Sequence, residues 1–111
     1  MADIDQIYAE AEQLKRAGDV EGAIAKLEEG LQVDPRHVLS HLALAVLYGR
    51  VNQHEDAIRH GEMACQIDPQ DAFNFTAMSV TYQRAWAGTH NQQYIQLAEN
   101  AMARARMLEG R

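Results

Sequence analysis

His37 and His41 lie four residues apart, a spacing that presents two imidazoles on one face of a helix to a single metal ion, and His54 and His60 follow close behind. No carboxylate or thiolate completes that set at ligand spacing. His37 stands at the head of a helical segment, while His41 and the single Cys65 fall on apolar stripes, so packing and capping account for all three. The chain also has no glycine-rich phosphate loop, no serine-based nucleophile motif and no pair of carboxylates spaced for acid–base work. The expectation is a protein without metal or cofactor, and not an enzyme.

Helix is the element that must carry these residues. Two prolines and seven glycines interrupt 111 residues otherwise rich in Ala, Leu, Glu, Gln, Met and Arg. A composition 47% hydrophobic and 23% charged predicts an ordered globular chain. The opening MADIDQIYAE has neither a basic leader nor an apolar core, and the apolar run LALAVLY at 42–48 is too short to span a bilayer. These features, with one unpaired cysteine, predict a cytoplasmic protein with no membrane partner. Residues 1–34 hold nine acids and three bases, whereas the remainder holds seven of each. Such a balance excludes nucleic acid as a partner, since no cluster of Lys and Arg is present to displace counterions.

Apolar periodicity gives the order of the helices. Ile4, Ile7, Ala11 and Leu14 form a stripe that Gly18-Asp19 breaks; Ala23, Ile24, Leu27 and Leu31 form a second, ended by Asp34-Pro35. Adding 34 reproduces the unit with Leu44, Ala45 and Tyr48, then Asn52-Gln53, then Ala57, Ile58, Ala64 and Ile67, and Asp68-Pro69. A third opening runs from Ala72 to Trp86. Small residues recur where helices would cross: Ala11, Ala45 and Ser79; Ala23, Ala57 and Ala98; Gly30, Ala64 and Ala105. In this period, in the small residues and in the proline after the second helix, the chain resembles the tetratricopeptide repeat family. The resemblance implies an all-α, right-handed α-solenoid of three helix-turn-helix hairpins, six helices in one domain over 1–111, with repeats at approximately 4–37, 38–71 and 72–111.

Three departures stand out. The third repeat matches only if about seven residues near 86–93, in WAGTHNQQ, are inserted between its helices, with Asn91 or Thr89 capping a lengthened last helix. His41 replaces the Ile7 and Phe75 of the other units. Gly61 stands where Leu27 and Met102 fill space, and Phe75 or Tyr94 is expected to cover the gap.

In such an array the first helices line an inner curve. Their off-stripe positions read Asp5, Tyr8, Ala9, Glu12 and Arg16, then Leu39, Leu42, Ala43, Val46 and Arg50, then Phe73, Thr76, Ala77, Val80 and Arg84. Segment 38–51 is apolar almost all round, so two of its sides need cover. This predicts a groove for a helix or extended peptide of a partner protein, built from Tyr8, Leu39, Leu42, Val46, Arg50, Phe73, Val80 and Arg84. The family's carboxylate clamp does not transfer, because the matching positions are Tyr8, Glu12, Ala43, Phe73 and Ala77, none of which grips a carboxylate. Two alternatives stay open: a small chaperone that shields a partner's apolar segment, and a homo-oligomeric scaffold that self-associates through Ala98, Ala101, Met102, Ala105 and Leu108 on the last helix.

Overall fold

The computed structural model describes residues 3–110 and consists, among them, of six α-helices and no strand. They are α1 (Ile4–Arg16), α2 (Val20–Val33), α3 (Val38–Arg50), α4 (His54–Ile67), α5 (Ala72–Thr89) and α6 (Gln93–Leu108). Consecutive helices pair as three hairpins, and each new hairpin lays its first helix against the one before. Helices α3 and α5 also touch directly, whereas α4 and α6 make no comparable contact. The array therefore closes on the side of α3 and α5 and opens on the side of α4 and α6.

Each first helix starts on a side-chain acceptor one repeat from the last. Asp3 Oδ1 accepts from the Gln6 amide at 2.8 Å, His37 Nδ1 accepts from the Ser40 amide at 3.2 Å, and Asp71 Oδ1 accepts from the Phe73 amide at 2.9 Å. His37 is thus a cap standing in the place of an aspartate. Hairpin turns also repeat: Gly18 (φ 87°) and Asn52 (φ 64°) both take the left-handed conformation, which asparagine tolerates better than most side chains. The predicted crossing residues are all buried, with Ala23, Ala64 and Ala105 at 1% exposure or less.

The insertion differs from a simple loop. Helix α5 continues past Trp86 to Thr89, and its left-handed cap moves to His90 (φ 60°), four residues beyond the repeat position. Helix α5 is five residues longer than α3 and α6 two residues longer than α4, so the seven inserted residues extend both helices and the connector stays at three residues, as in the other hairpins. The added turn passes His54 at Gly88, where a Cβ would collide with the imidazole. Asn91 helps to start α6, its Oδ1 accepting from the Gln93 amide at 3.0 Å, and Thr89 accepts from the Asn91 amide at 3.1 Å. The gap at Gly61 is filled by neither Phe75 nor Tyr94. Met78 of α5 lies over it, its Sδ 2.7 Å from where a Cβ would be, because the flexible thioether reaches into the crossing beside Ala45.

Candidate docking surface

The inner positions on α3 and α5 align in rows one repeat apart. Leu39 and Phe73 are 53% and 63% exposed, and Val80, one repeat on from the half-buried Val46, is 39% exposed. Leu42 is half-buried, and Arg50 and Arg84 stand exposed at the far end of both helices. The opposite side of α3 supplies Leu44 and Leu47, at 0% and 1% exposure, to the core. One apolar side of α3 is therefore enclosed by the chain, and the side carrying Leu39 is not. Tyr8, on the more polar α1, sits half-buried and edge-on to His37, with ring centroids 5.5 Å apart. Burial, with the Glu12 carboxylate beside it, pushes its phenol up from the usual range.

The five residues predicted for self-association divide otherwise. Ala98, Ala101 and Ala105 are buried within the chain where α6 meets its own hairpin, which leaves only Met102 and Leu108 partly open. As an exposed stripe the prediction is corrected: alanine lets helices approach closely, and here the approach is intramolecular. The open surface at that end is instead a cavity of about 800 Å³ bordered by Ser79, Gln83, Trp86, Ile95, Met102 and Arg106. Ser79 and Met102 match Ala45 and Gly61, which Met78 of α5 covers one repeat earlier. Neither Leu39 nor Phe73 borders this concavity.

The histidines come together without forming a metal set; among the described residues no cluster of three ligand side chains occurs. His41 Nε2 donates to the Pro35 carbonyl at 2.8 Å, so the Nδ1 of neutral His41 accepts from His60 Nδ1 at 3.0 Å. That arrangement turns His60 Nε2 toward Glu28 Oε2, 3.4 Å away. Tyr48 stacks on His60 at 5.7 Å and donates its hydroxyl to the same Glu28 oxygen at 2.6 Å. Burial holds the His60 pKa below its usual range, against the pull of Glu28 toward the charged form. The Tyr48–Glu28 bond recurs 34 residues on as Tyr82–Glu62, at 2.9 Å. Burial, assisted by the glutamate, raises the pKa of both phenols, so both remain donors across the physiological range. These pairs tie each second helix to the next first helix. Sequence reading missed them, although a Tyr and a Glu each repeating at 34 was a usable signal. Cys65 is half-buried, its Sγ directed at the Asn74 carbonyl at 3.5 Å; burial pushes its thiol up to about 11, a packing role without nucleophilic character.

No protein-family model matches the sequence, and no curated protein does either. Solved structures match the fold. MamA superposes with a TM-score of 0.81 at 15% identity, the match taking in 96% of this chain and 58% of MamA. YrrB, a tetratricopeptide-repeat protein with an unusual peptide-binding site, gives 0.79 at 15% identity over 98% of this chain and 53% of its own. The chain thus spans little more than half of either protein. The second tetratricopeptide-repeat domain of Spaghetti (RPAP3), solved with the HSP90 peptide SRMEEVD, gives 0.78 at 17% identity over 96% of this chain and 92% of that one. With three stacked hairpins, buried small residues at every crossing and these superpositions, the chain has the tetratricopeptide-repeat fold.

Proposed function

We propose that this chain is a non-catalytic protein-interaction module whose inner face receives an amphipathic helix or an extended apolar peptide of a partner protein. The observation that carries the reading is the exposure of Leu39 and Phe73 at matching positions on neighbouring helices, in a molecule that buries the other side of α3 fully. Covering a large apolar side chain yields about 1.5–3 kcal/mol before ordering costs, so this row supplies a micromolar contact when joined by Val46 and Val80. Arg50 and Arg84 add two cations at one end, which suits an acidic residue at one terminus of an otherwise apolar peptide. Peptide binding by YrrB and by the RPAP3 domain supports use of the fold in this way. An acidic peptide such as the SRMEEVD bound to the RPAP3 domain is not the ligand class proposed, because Tyr8, Glu12, Ala43, Phe73 and Ala77 offer no cation for a carboxylate.

The test is affinity selection of displayed amphipathic peptides, followed by calorimetric titration of the selected peptide into wild type, Leu39→Asp and Phe73→Asp. Each variant should weaken binding at least tenfold with the helical content intact; unchanged affinity in both would refute the site. A chaperone role is the same contact made with a partner's unassembled segment. The scaffold reading draws on a separate observation, the exposed Trp86, Ile95 and Met107 at the α5–α6 end (37%, 38% and 68%). Light scattering over a concentration series tests it, and a monomer throughout excludes it.

A further inference from the structure

The two junctions between hairpins are built from corresponding residues, and one of them lacks a ring that the other contains. A shift of 34 carries Glu28, Leu31, His41, Leu44 and Tyr48 onto Glu62, Cys65, Phe75, Met78 and Tyr82. A shift of 41, which takes in the insertion, carries His60 of α4 onto Ala101 of α6. In the first junction the His60 ring is 2% exposed, lies against Tyr48, and faces Glu28 with one nitrogen and His41 with the other. In the second junction Tyr82 still donates to Glu62, but Ala101 ends at a methyl group. A cavity of about 480 Å³ opens there, and Glu62, Cys65, Phe75, Met78, Tyr82 and Ala101 all border it. The counterparts of Glu28, His41 and Tyr48, the three groups that meet the His60 ring, thus all border an unfilled space.

We infer that this outer-face pocket between α4, α5 and α6 binds a planar N–H heteroaromatic ring of the imidazole class, lying against Tyr82 and donating to Glu62. Three further features narrow the ligand. In the first junction the N–H of His60 goes to His41 and the nitrogen facing Glu28 makes no hydrogen bond; Phe75 replaces His41, so in the second junction no histidine competes with Glu62 for the N–H of a ring. Arg104, stacked on Phe75 at 5.8 Å, also borders the pocket, and its guanidinium favours a neutral ring with a bare nitrogen over an imidazolium. Tyr94 does not take the missing place. It stacks on Tyr82 at 6.1 Å but lies seven residues before Ala101, about 10 Å nearer the start of α6, and borders a different, smaller hollow with Glu55, Ile58 and Arg59.

The same ring could come from a free azole or from a histidine of a partner chain, and two probes separate these sources. Imidazole and N-acetylhistidine methylamide are titrated at pH 8 into the ¹⁵N-labelled chain, following the amides of Cys65, Tyr82, Ala101 and Arg104. Saturable shifts at these positions, with millimolar affinity, are expected. Saturation by imidazole alone assigns a small molecule; saturation by the capped residue assigns a partner's histidine. 1-Methylimidazole, which has no N–H, should bind at least tenfold more weakly, as should imidazole to Glu62→Gln. Ala101→His should fill the pocket with its own ring and abolish the shifts. Absence of saturation by either probe in the folded wild-type chain overturns the inference, as does equal binding of imidazole and 1-methylimidazole. The Glu62→Gln measurement stands even if Ala101→His fails to fold.

Discussion

Helix α3 permits a comparison within five residues. Leu39 and Leu44 are the same side chain on the same helix, 53% and 0% exposed respectively. Truncating Leu44 to alanine removes a fully enclosed side chain from the cluster of Ala11, Leu27, Leu31 and Leu47 and leaves a cavity. Such changes cost about 2–5 kcal/mol. Truncating Leu39 removes surface that is already half wet, so at most half of the roughly 1.5–3 kcal/mol for burying a leucine is lost, and no closed cavity forms. The better helix propensity of alanine offsets a little of that. The expected loss for Leu39→Ala is therefore at most about 1.5 kcal/mol, smaller than the about 2–5 kcal/mol for Leu44→Ala. Urea unfolding followed by circular dichroism reads both, and unchanged m-values would show that each variant unfolds from the same compact state. Equal losses would refute the reasoning, since they would mean that the Leu39 side of α3 is enclosed within the free chain.

Other perturbations probe the junctions. Tyr82→Phe removes the hydroxyl that reaches Glu62 and should cost about 1 kcal/mol in urea unfolding, with Tyr48→Phe costing more because Glu28 then also loses its donor beside buried His60. Folded-state His60 has a pKa below the usual value near 6.5, so the unfolded chain takes up the proton first. Stability is full above about pH 6.5 and falls as the pH drops below it, until folded His60 is itself protonated. Glu28→Gln withdraws the carboxylate that favours the charged ring, and unfolding midpoints at pH 7.5 and 5.5 should then differ more than in wild type; a smaller difference would contradict this reading. His90→Gly should raise stability by about 1 kcal/mol in thermal unfolding, because the left-handed backbone at φ 60° costs a side chain and not a glycine.

Most of the architecture was legible because a repeat protein states each structural requirement several times. Ala11, Ala45 and Ser79, or Asp3, His37 and Asp71, become interpretable as crossings and caps once they are set 34 residues apart. The extra residues near 86–93 were expected between the helices, whereas they lengthen α5 and α6. A pattern of apolar spacing shows that residues are extra without showing whether they extend α5 or lengthen the turn, and Gly88, which reads as a loop residue, is needed for the passage of His54. The gap at Gly61 was visible as missing volume, but its filler was not, because Met78 reaches it across a helix crossing whose geometry depends on both chains of contact. Inner-face residues could be named from periodicity alone. Their division into enclosed Leu44 and open Leu39 follows from the packing of α3 against its neighbours. The alanines of α6 show the converse: small residues mark close helix approach, and only the fold says that the approaching helix belongs to the same chain.

The inner face is tested most directly by mapping amide shifts of the labelled chain as a selected amphipathic peptide is added. Perturbations should concentrate at Leu39, Leu42, Val46, Phe73 and Val80, with the outer sides of α2, α4 and α6 unmoved. Shifts confined to those outer sides, or to the α5–α6 end around Trp86 and Ile95, would contradict the account.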